Sequence, residues 1–413
     1  MRLSKIQVLF LIVALFGNIF FFSFYALTGR VYYGASSDNT YMSFMMIVDI
    51  VPLLLFLRYL GVNKSKKNVG SIVLAMAFIL IILLIEARLD FSYPLIKAFL
   101  SYSIPAALVG VLIAKYDAGD SFAKWLEPMM IMLTLVGIRS MSIILQTSYY
   151  ELRNAGIGAQ SLSYHCGFAF ALNLYFLLFG DEHRDRFNYA KSKFYQFIAI
   201  ALLVVQVIVS LSTGGRGGFV LIVISTLALF SMKAIRRGGS MIKTLFLFFL
   251  MTIMAVIAIE FMPEDISNAV GLGSERTFSY LTKEGIDMSE TSNRDDVYGR
   301  AIIDFAKQPI FGYGLLMKGS FIEGSWPHNI VLEVLLQGGI IYLLLFVFVI
   351  IRLVRKLRIM IKTGHKLYII PLVLYPFTML CFSGSYITTG LFWFVLSYVF
   401  CYENKKRSSG LIN

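Results

Sequence analysis

The sequence predicts an all-α polytopic membrane protein, with about 12 transmembrane helices in a single domain over residues 1–413. Apolar residues make up 58% of the chain and charged residues 15%. A soluble domain carries roughly a quarter charged residues and a little under half apolar ones. Twelve segments each hold the roughly 20 mostly apolar residues that a spanning helix needs, and basic residues collect in short stretches between them.

The first predicted span is a retained helix. The basic residues Arg2 and Lys5 precede an apolar run of about 22 residues, which is longer than the core of a signal peptide. A tight turn at Gly384–Ser385 joins the last two spans. The spans lie near 6–27, 41–60, 69–87, 93–114, 127–147, 161–180, 194–211, 218–233, 241–261, 328–351, 367–384 and 386–402.

The basic residues between the spans predict the orientation. With both termini in the cytoplasm, most of the 37 Lys and Arg fall in segments on the cytoplasmic side, as the positive-inside rule requires. The formal net charge of +13 therefore reflects orientation in the bilayer and contact with anionic lipid headgroups. We expect membrane lipids as partners, and no nucleic acid.

One large extracytoplasmic loop, 262–327, is the only long polar stretch and the natural place for chemistry. Within it, TSNRDDVYGRAIIDFAKQP predicts a short amphipathic helix that Ser292 or Asn293 caps and Pro309 ends. The apolar positions of this helix fall at helical spacing, at Val297, Ala301 and Phe305. A glycine-rich turn, FGYGLLMKG, follows.

Cofactor and metal chemistry has no support in the sequence. The three cysteines, Cys166, Cys381 and Cys401, lie in apolar runs without metal-ligand or redox spacing, which is typical of small core residues. There is no P-loop, dinucleotide fingerprint, metal-ligand cluster or Gly-x-Ser-x-Gly elbow. We expect no cofactor and no metal ion.

Arg216 is the first candidate site residue. It stands in STGGRGGFV with two glycines on each side, at the predicted outer junction of the seventh and eighth spans. Glycines let a backbone approach a ligand closely, and an Arg fork suits phosphate oxygens. The alternative, a tight interhelical turn with a snorkelling Arg, stays open.

His328 is the second candidate, in WPHNIVLEVLLQGGIIY where the long loop returns to the membrane. Asn329 is a predicted N-cap of the tenth span, which puts His328 at its mouth, and His is suited to accept a proton near neutral pH. Glu333, five residues on, is a candidate to orient or tune the His. An interfacial His beside a helix cap is the structural alternative.

Basic residues in the outer half of the membrane and the outer loops form the third feature. Arg139 stands out because it lies within an apolar span, where an unpaired charge is costly; a structural ion pair or snorkelling is the alternative. A cationic site without metal ligands suits a substrate that carries phosphate or diphosphate. The group comprises Arg88, Lys97, Arg139, Arg153, Arg216, Arg294 and Arg300.

Three segments, taken in order, resemble the bacterial O-antigen polymerases and ligases of the Wzy type. They are STGGRGG, the stretch from Arg294 through QPIFGYGL, and HNIVLEVLLQGGIIYLLL. The resemblance implies a GT-C-like membrane glycosyltransferase of the bacterial inner (plasma) membrane, with an extracytoplasmic active site. Its donor would be an undecaprenyl-diphosphate-linked glycan, and no nucleotide sugar or metal ion is needed. A chain-length regulator protein is an expected partner by resemblance only.

The resemblance also implies roles for individual residues. Arg216 and Arg294 match the family's cationic positions near the donor diphosphate, and His328 matches a His thought to assist the acceptor. Arg300 and Arg139 are added as diphosphate-binding candidates from charge placement, and Asn329 and Glu333 as supporting residues. One attack from the opposite face predicts inversion at the anomeric carbon.

Three functions stay open. The leading one is polymerisation of lipid-linked repeat units into O-antigen or capsular polysaccharide. The second is an O-antigen ligase, in which the acceptor is a lipid A core sugar. The third is a flippase or other transporter of lipid-linked oligosaccharides, although the sequence lacks the paired broken helices that many transporters show.

Overall fold

The protein is described by a computed structural model, and its described part is helical apart from loops and one short antiparallel ladder. The described residues are 3–29, 39–62, 67–89, 93–146, 158–180, 193–236, 263–278, 281–282, 285–286, 294–315, 327–364 and 366–403.

The helices follow one another along the chain as follows. The first eight are α1 (Lys5–Thr28), α2 (Asn39–Val62), α3 (Lys67–Leu89), α4 (Tyr93–Ala98), α5 (Ile104–Lys115), α6 (Gly119–Ala123), α7 (Leu126–Gln146) and α8 (Ala159–Phe179). A π-helical turn, Phe99–Ser103, joins α4 to α5. The others are α9 (Lys193–Ser212), α10 (Arg216–Arg236), α11 (Glu264–Phe278), α12 (Arg294–Lys307), α13 (Ile330–Gly364), α14 (Ile369–Phe382) and α15 (Gly390–Cys401). Strands β1 (Leu281–Thr282) and β2 (Gly285–Ile286) pair within the long loop.

The prediction of a helical membrane protein is confirmed. Eight helices in the described part of the chain are long and apolar enough to cross a membrane, and three shorter apolar helices accompany them. Eleven of the twelve predicted spans coincide with these helices; the segment 241–261 lies outside the described residues. The total of twelve spans and the GT-C-like arrangement stay predictions.

Close helix packing in the core depends on small residues. A Cβ on Gly110 of α5 would lie 2.6 Å from the Phe394 carbonyl oxygen of α15, so the glycine permits the two backbones to approach. Phe394 also stacks on Phe122, with ring centroids 5.2 Å apart. This pair of helices lies at the centre of the largest apolar cluster.

A buried polar network joins three of the helices. Gln206 of α9 donates through Nε2 to Thr134 Oγ1 of α7 at 2.7 Å. Asn173 of α8 donates through Nδ2 to Gln206 Oε1 at 3.2 Å and to the Ala199 carbonyl at 2.9 Å. Hydrogen bonds of this kind hold helices together within a bilayer. They also explain how these amides are accommodated in apolar spans.

The connecting segments gather at two ends of the helix bundle. At one end, Lys366 pairs with Asp120 at 2.6 Å and Lys115 pairs with Glu403; all four belong to segments predicted to be cytoplasmic. At the other end, Gln160 Nε2 at the start of α8 lies 3.5 Å from the Phe382 carbonyl at the end of α14. This second end is called the outer end below, and its extracytoplasmic location stays a prediction.

The turn between α14 and α15 is longer and deeper than predicted. The two helices have 14 and 12 residues, or roughly 21 and 18 Å, whereas the hydrocarbon core is roughly 30 Å thick. The predicted spans 367–384 and 386–402 both extend beyond these helices, and the predicted tight Gly384–Ser385 turn is wrong. Residues 383–389 form a non-helical segment (the outer turn) whose centre, Ser385 to Ile387, is buried. Irregular backbone at membrane depth is tolerated when protein surrounds it.

Candidate functional site

The candidate site begins at a break in α13. Gly338 and Gly339 leave helical geometry, with φ/ψ of −138°/16° and 61°/−160°. The positive φ at Gly339 favours glycine. The break interrupts the intrahelical hydrogen bonds and frees carbonyl groups in the turn before it.

The segment 309–315 replaces the hydrogen bonds that the break removes. Tyr313 donates its backbone N–H to the Leu336 carbonyl at 2.7 Å, and Gly314 donates to the Gln337 carbonyl at 2.8 Å. In return, the N–H of Ile340 donates to the Pro309 carbonyl at 2.8 Å. The motifs QPIFGYGL and LLQGGI are thus two halves of one structure, which satisfies backbone groups that lipid could not.

Protic side chains, all buried except the half-buried Tyr342, lie beside this break and form the outer-turn cluster: Glu333, Gln337, Tyr342, Ser385 and Tyr386. Ser385 Oγ donates to the Glu333 carboxylate, and Gln337 Nε2 donates to the same oxygen at 3.1 Å. Tyr386 donates to Gln337 Oε1, and the Tyr386 and Tyr342 hydroxyls lie 2.9 Å apart. Glu333 is only 1% exposed. The cluster therefore fixes the outer turn against the first turns of α13.

The π-helical turn and α3 contact the segments that lie next to this cluster. Ser103, at the end of the π-helical turn, donates to the Ile387 carbonyl of the outer turn. Glu86 near the end of α3 accepts the N–H of Leu315 at 2.9 Å. A π-helical turn often marks a functional site. Four irregular segments thus meet within the outer half of the bundle: residues 99–103, 309–315, 338–339 and 383–389.

The predicted cap of α13 is confirmed. Asn329 Oδ1 accepts the N–H groups of Val331 at 3.0 Å and Leu332 at 3.3 Å, as an N-cap does. His328 precedes it in a left-handed conformation, φ 50°, and is half-buried. The expected partnership of Glu333 with His328 gives way to hydrogen bonds with Ser385 and Gln337, because five residues of helix turn the two side chains in different directions.

Arg216 is the first residue of α10 and is half-buried. A Cβ on Gly217 would lie 2.5 Å from Tyr164 Cε1, and one on Gly218 would lie 2.5 Å from the Ser163 carbonyl carbon. The glycines therefore let α10 pack against α8. The interhelical-turn interpretation of the glycines is confirmed, whereas a role for Arg216 itself is a separate question.

The other predicted cations have different surroundings. Arg139 is exposed on α7, about 10 Å from the end of the helix, and makes no ion pair with any described residue. Of the two structural alternatives for Arg139, this exposure fits snorkelling to the interface, and its role in diphosphate binding stays a prediction. Arg300 is exposed on α12. Arg294 begins α12, and its side chain lies outside the described residues.

A short chain of contacts links the Arg216 turn to the outer-turn cluster. A Cβ on Gly215 would lie 3.6 Å from Gln160 Cα, and Gln160 Nε2 reaches the Phe382 carbonyl. Ser385 follows three residues later and bonds Glu333. The structure therefore brings the Arg216 turn, the outer turn and the start of α13 to one end of the bundle, while Arg139 stands on a lipid-facing side.

Sequence reasoning missed most of the cluster and one further residue. Asp49 stands in the middle of α2, and its Oδ1 has no hydrogen-bond partner among the described residues. Polar residues within apolar spans are functional-site candidates by default, and that rule alone could have identified both Asp49 and Gln337.

Comparison with known proteins adds no relative: no protein-family model, no curated protein and no solved structure matches the chain.

Proposed function

We propose that the protein is a membrane glycosyltransferase that polymerises undecaprenyl-diphosphate-linked repeat units into O-antigen or capsular polysaccharide outside the cytoplasm. One observation carries the proposal. Two of the three family-like segments, QPIFGYGL and the start of α13, hydrogen-bond each other directly. The third, STGGRGG, reaches the same end of the bundle through Gln160 and Phe382.

In this proposal, two arginines at helix N-termini bind the donor diphosphate. Arg216 begins α10 and Arg294 begins α12. The partial positive charge of a helix N-terminus disfavours a bare cation there and favours an anion. An arginine in that place becomes favourable when a diphosphate binds both the guanidinium and the helix amides. As the glycosidic bond to the diphosphate breaks, these donors stabilise the charge on the leaving group.

In this proposal, His328 activates the acceptor. The Asn329 cap and the left-handed backbone hold this His at the mouth of α13. A neutral imidazole accepts the proton of an acceptor sugar hydroxyl as the oxygen attacks the anomeric carbon. The new glycosidic bond forms on the face opposite the departing diphosphate, which inverts the anomeric configuration.

A transporter of lipid-linked oligosaccharides is the second candidate function, and two observations favour it. The break in α13 is of the kind found at transporter binding sites, and Asp49 is an ionisable group within a span. The described residues show only one such break inside a long span besides the π-helical turn. Because this part of the chain has no second, matching broken helix, we favour the enzyme over the transporter.

Reconstitution into liposomes with synthetic undecaprenyl-diphosphate repeat units tests the proposal. Polymerisation predicts a ladder of longer glycans from this substrate alone. A ligase gives no ladder and joins glycan to added lipid A core. A transporter leaves the glycan unextended and moves it across the bilayer, and Asp49→Asn then abolishes the movement; that result would overturn the enzyme.

A further inference from the structure

Helix α12 of the long loop presents three different faces. Val297, Ala301 and Phe305 pack toward Leu332 and Leu336 of α13, which confirms the predicted apolar stripe. At about 100° per residue, a second apolar face follows beside it, formed by Ile302 and Ala306, and Ile303 lies at its border with the polar face. Ile302 and Ile303 are 57% and 60% exposed. The third face is polar and exposed, with Asp296, Arg300 and Lys307.

The turn after α12 continues the exposed apolar face. Ile310 is 54% exposed and Phe311 is 75% exposed, more than any other large apolar side chain among the described residues. The backbone of this turn is held against α13. Pro309 accepts a hydrogen bond from Ile340, and a Cβ on Gly339 would lie 2.7 Å from the Pro309 carbonyl oxygen.

The contact with α13 gives the depth of this turn. Arg352 is the first basic residue of α13, and a span of roughly 20 residues counted back from it ends near Leu332. Gly339 then lies about 10 Å inside the hydrocarbon boundary. The contact with Gly339 and Ile340 holds the Ile310–Phe311 turn at that depth, well below the headgroups.

The exposed apolar face of α12 and its turn is also continuous with a lipid-facing surface. Directly below the turn, α13 exposes Ile340, Ile341, Leu344 and Leu345, the last two at 63% and 57%. A surface of this composition in the middle of a spanning helix faces lipid chains. The same chains therefore cover Ile310 and Phe311.

We propose that α12 and the Pro309–Phe311 turn are embedded in the outer-end leaflet, with the acyl chains of bilayer lipids as their partner. Ile302, Ile310 and Phe311 face the chains, and Arg300 and Lys307 face the headgroup layer, where basic residues contact anionic lipid. The loop 262–327, predicted as a polar extracytoplasmic stretch with a short amphipathic helix, thus contains a membrane-embedded helix. The proposal does not depend on the proposed function.

Spin-label accessibility in liposomes tests the embedding. The native residues Cys166, Cys381 and Cys401 are replaced by Ala, and single cysteines are introduced by Ile302→Cys and Phe311→Cys. Leu344→Cys on α13 is the lipid-facing control, and Asp296→Cys on the polar face of α12 is the aqueous control. Each variant is first checked for an unchanged thermal transition in detergent.

Labels at positions 302 and 311 are expected to behave like the label at 344, with high accessibility to oxygen and low accessibility to a water-soluble nickel complex. The label at 296 shows the reverse. The proposal is overturned if labels at 302 and 311 behave like the label at 296. It is also overturned if they show spin–spin broadening that grows with protein density, which would assign the face to a second copy of the chain.

Discussion

At the scale of single residues, Arg216 and its glycines carry separate functions. Gly217 and Gly218 are explained by Tyr164 and Ser163 of α8, which leave no room for a Cβ. Arg216 is not required for that packing, since it stands half-buried at the start of α10. Fold and chemistry in this motif are therefore separable by substitution.

Arg216→Ala is expected to lower kcat by about a hundredfold or more, the usual cost of removing a donor to a developing negative charge. The thermal transition should stay at the wild-type temperature. Arg216→Lys, which keeps the charge but loses the planar fork, should retain an intermediate rate. Equal rates for wild type and Arg216→Ala would remove the residue from the site.

Gly218→Ala is expected to lower the free energy of unfolding, because the new Cβ would lie 2.5 Å from the Ser163 carbonyl carbon. The matched control is Gly271→Ala in α11, where nothing lies within 4 Å. That change should leave stability equal or higher by about 0.5–1 kcal/mol, since alanine is the better helix residue. Thermal unfolding in detergent measures both, and a similar response would contradict the packing argument.

At the scale of elements, the break at Gly338–Gly339 in α13 and the segment 309–315 form one structural unit, called the joint below. The loop 309–315 and the kink exchange three backbone hydrogen bonds, and the outer-turn cluster lies beside them. Apolar periodicity predicts the amphipathic α12 and the cap at Asn329 correctly, because both depend on neighbours along the chain. The joint depends on residues about 25 positions apart, and Glu333 meets Ser385 from another helix pair, which no local pattern indicates.

Gly339→Ala should destabilise the joint. Its φ/ψ of 61°/−160° lies in a region that is essentially restricted to glycine and costs an alanine about 1–3 kcal/mol, and the added Cβ would lie 2.7 Å from the Pro309 carbonyl oxygen. Gly299→Ala in α12 is the control, with open space around it. We expect a lower unfolding temperature and faster proteolysis of the 309–315 segment in Gly339→Ala alone. Indistinguishable proteolysis of the two variants would argue against the joint.

Glu333→Ala is expected to cost about 1–3 kcal/mol of stability, because Ser385 and Gln337 lose a buried acceptor. Glu333→Gln keeps an oxygen for Ser385 and should retain most of the stability. Unfolding in detergent distinguishes the two variants. If both variants lose the same stability, the hydrogen bonds to Glu333 are not what holds the outer turn.

At the scale of the whole molecule, counting apolar residues predicts the helices well, since a bilayer demands roughly 20 of them per span. The count fails where the backbone at membrane depth is surrounded by protein and not by lipid. α14 and α15 have only 14 and 12 residues because their buried outer turn satisfies its polar groups through α13 and Ser103. Hydropathy alone cannot distinguish such a turn from an interfacial one.

The two ends of the bundle predict opposite chemical accessibility. Ser121→Cys, exposed beside the Asp120–Lys366 pair, should resist a membrane-impermeant maleimide in intact spheroplasts and react after lysis. Asp296→Cys on α12 should react in both. Reaction of both sites before lysis, or of Ser121→Cys alone, would contradict the proposed orientation.

We propose that this chain catalyses glycan polymerisation with its own cationic and histidine side chains. The most direct measurement follows glycan length in liposomes that contain the purified protein and undecaprenyl-diphosphate repeat units, with chelator present and no nucleotide. We predict a ladder for wild type, and its loss in Arg216→Ala and His328→Ala, both folded by thermal unfolding. An unchanged ladder in the two variants, or no glycan transfer by wild type to any acceptor, would contradict the claim.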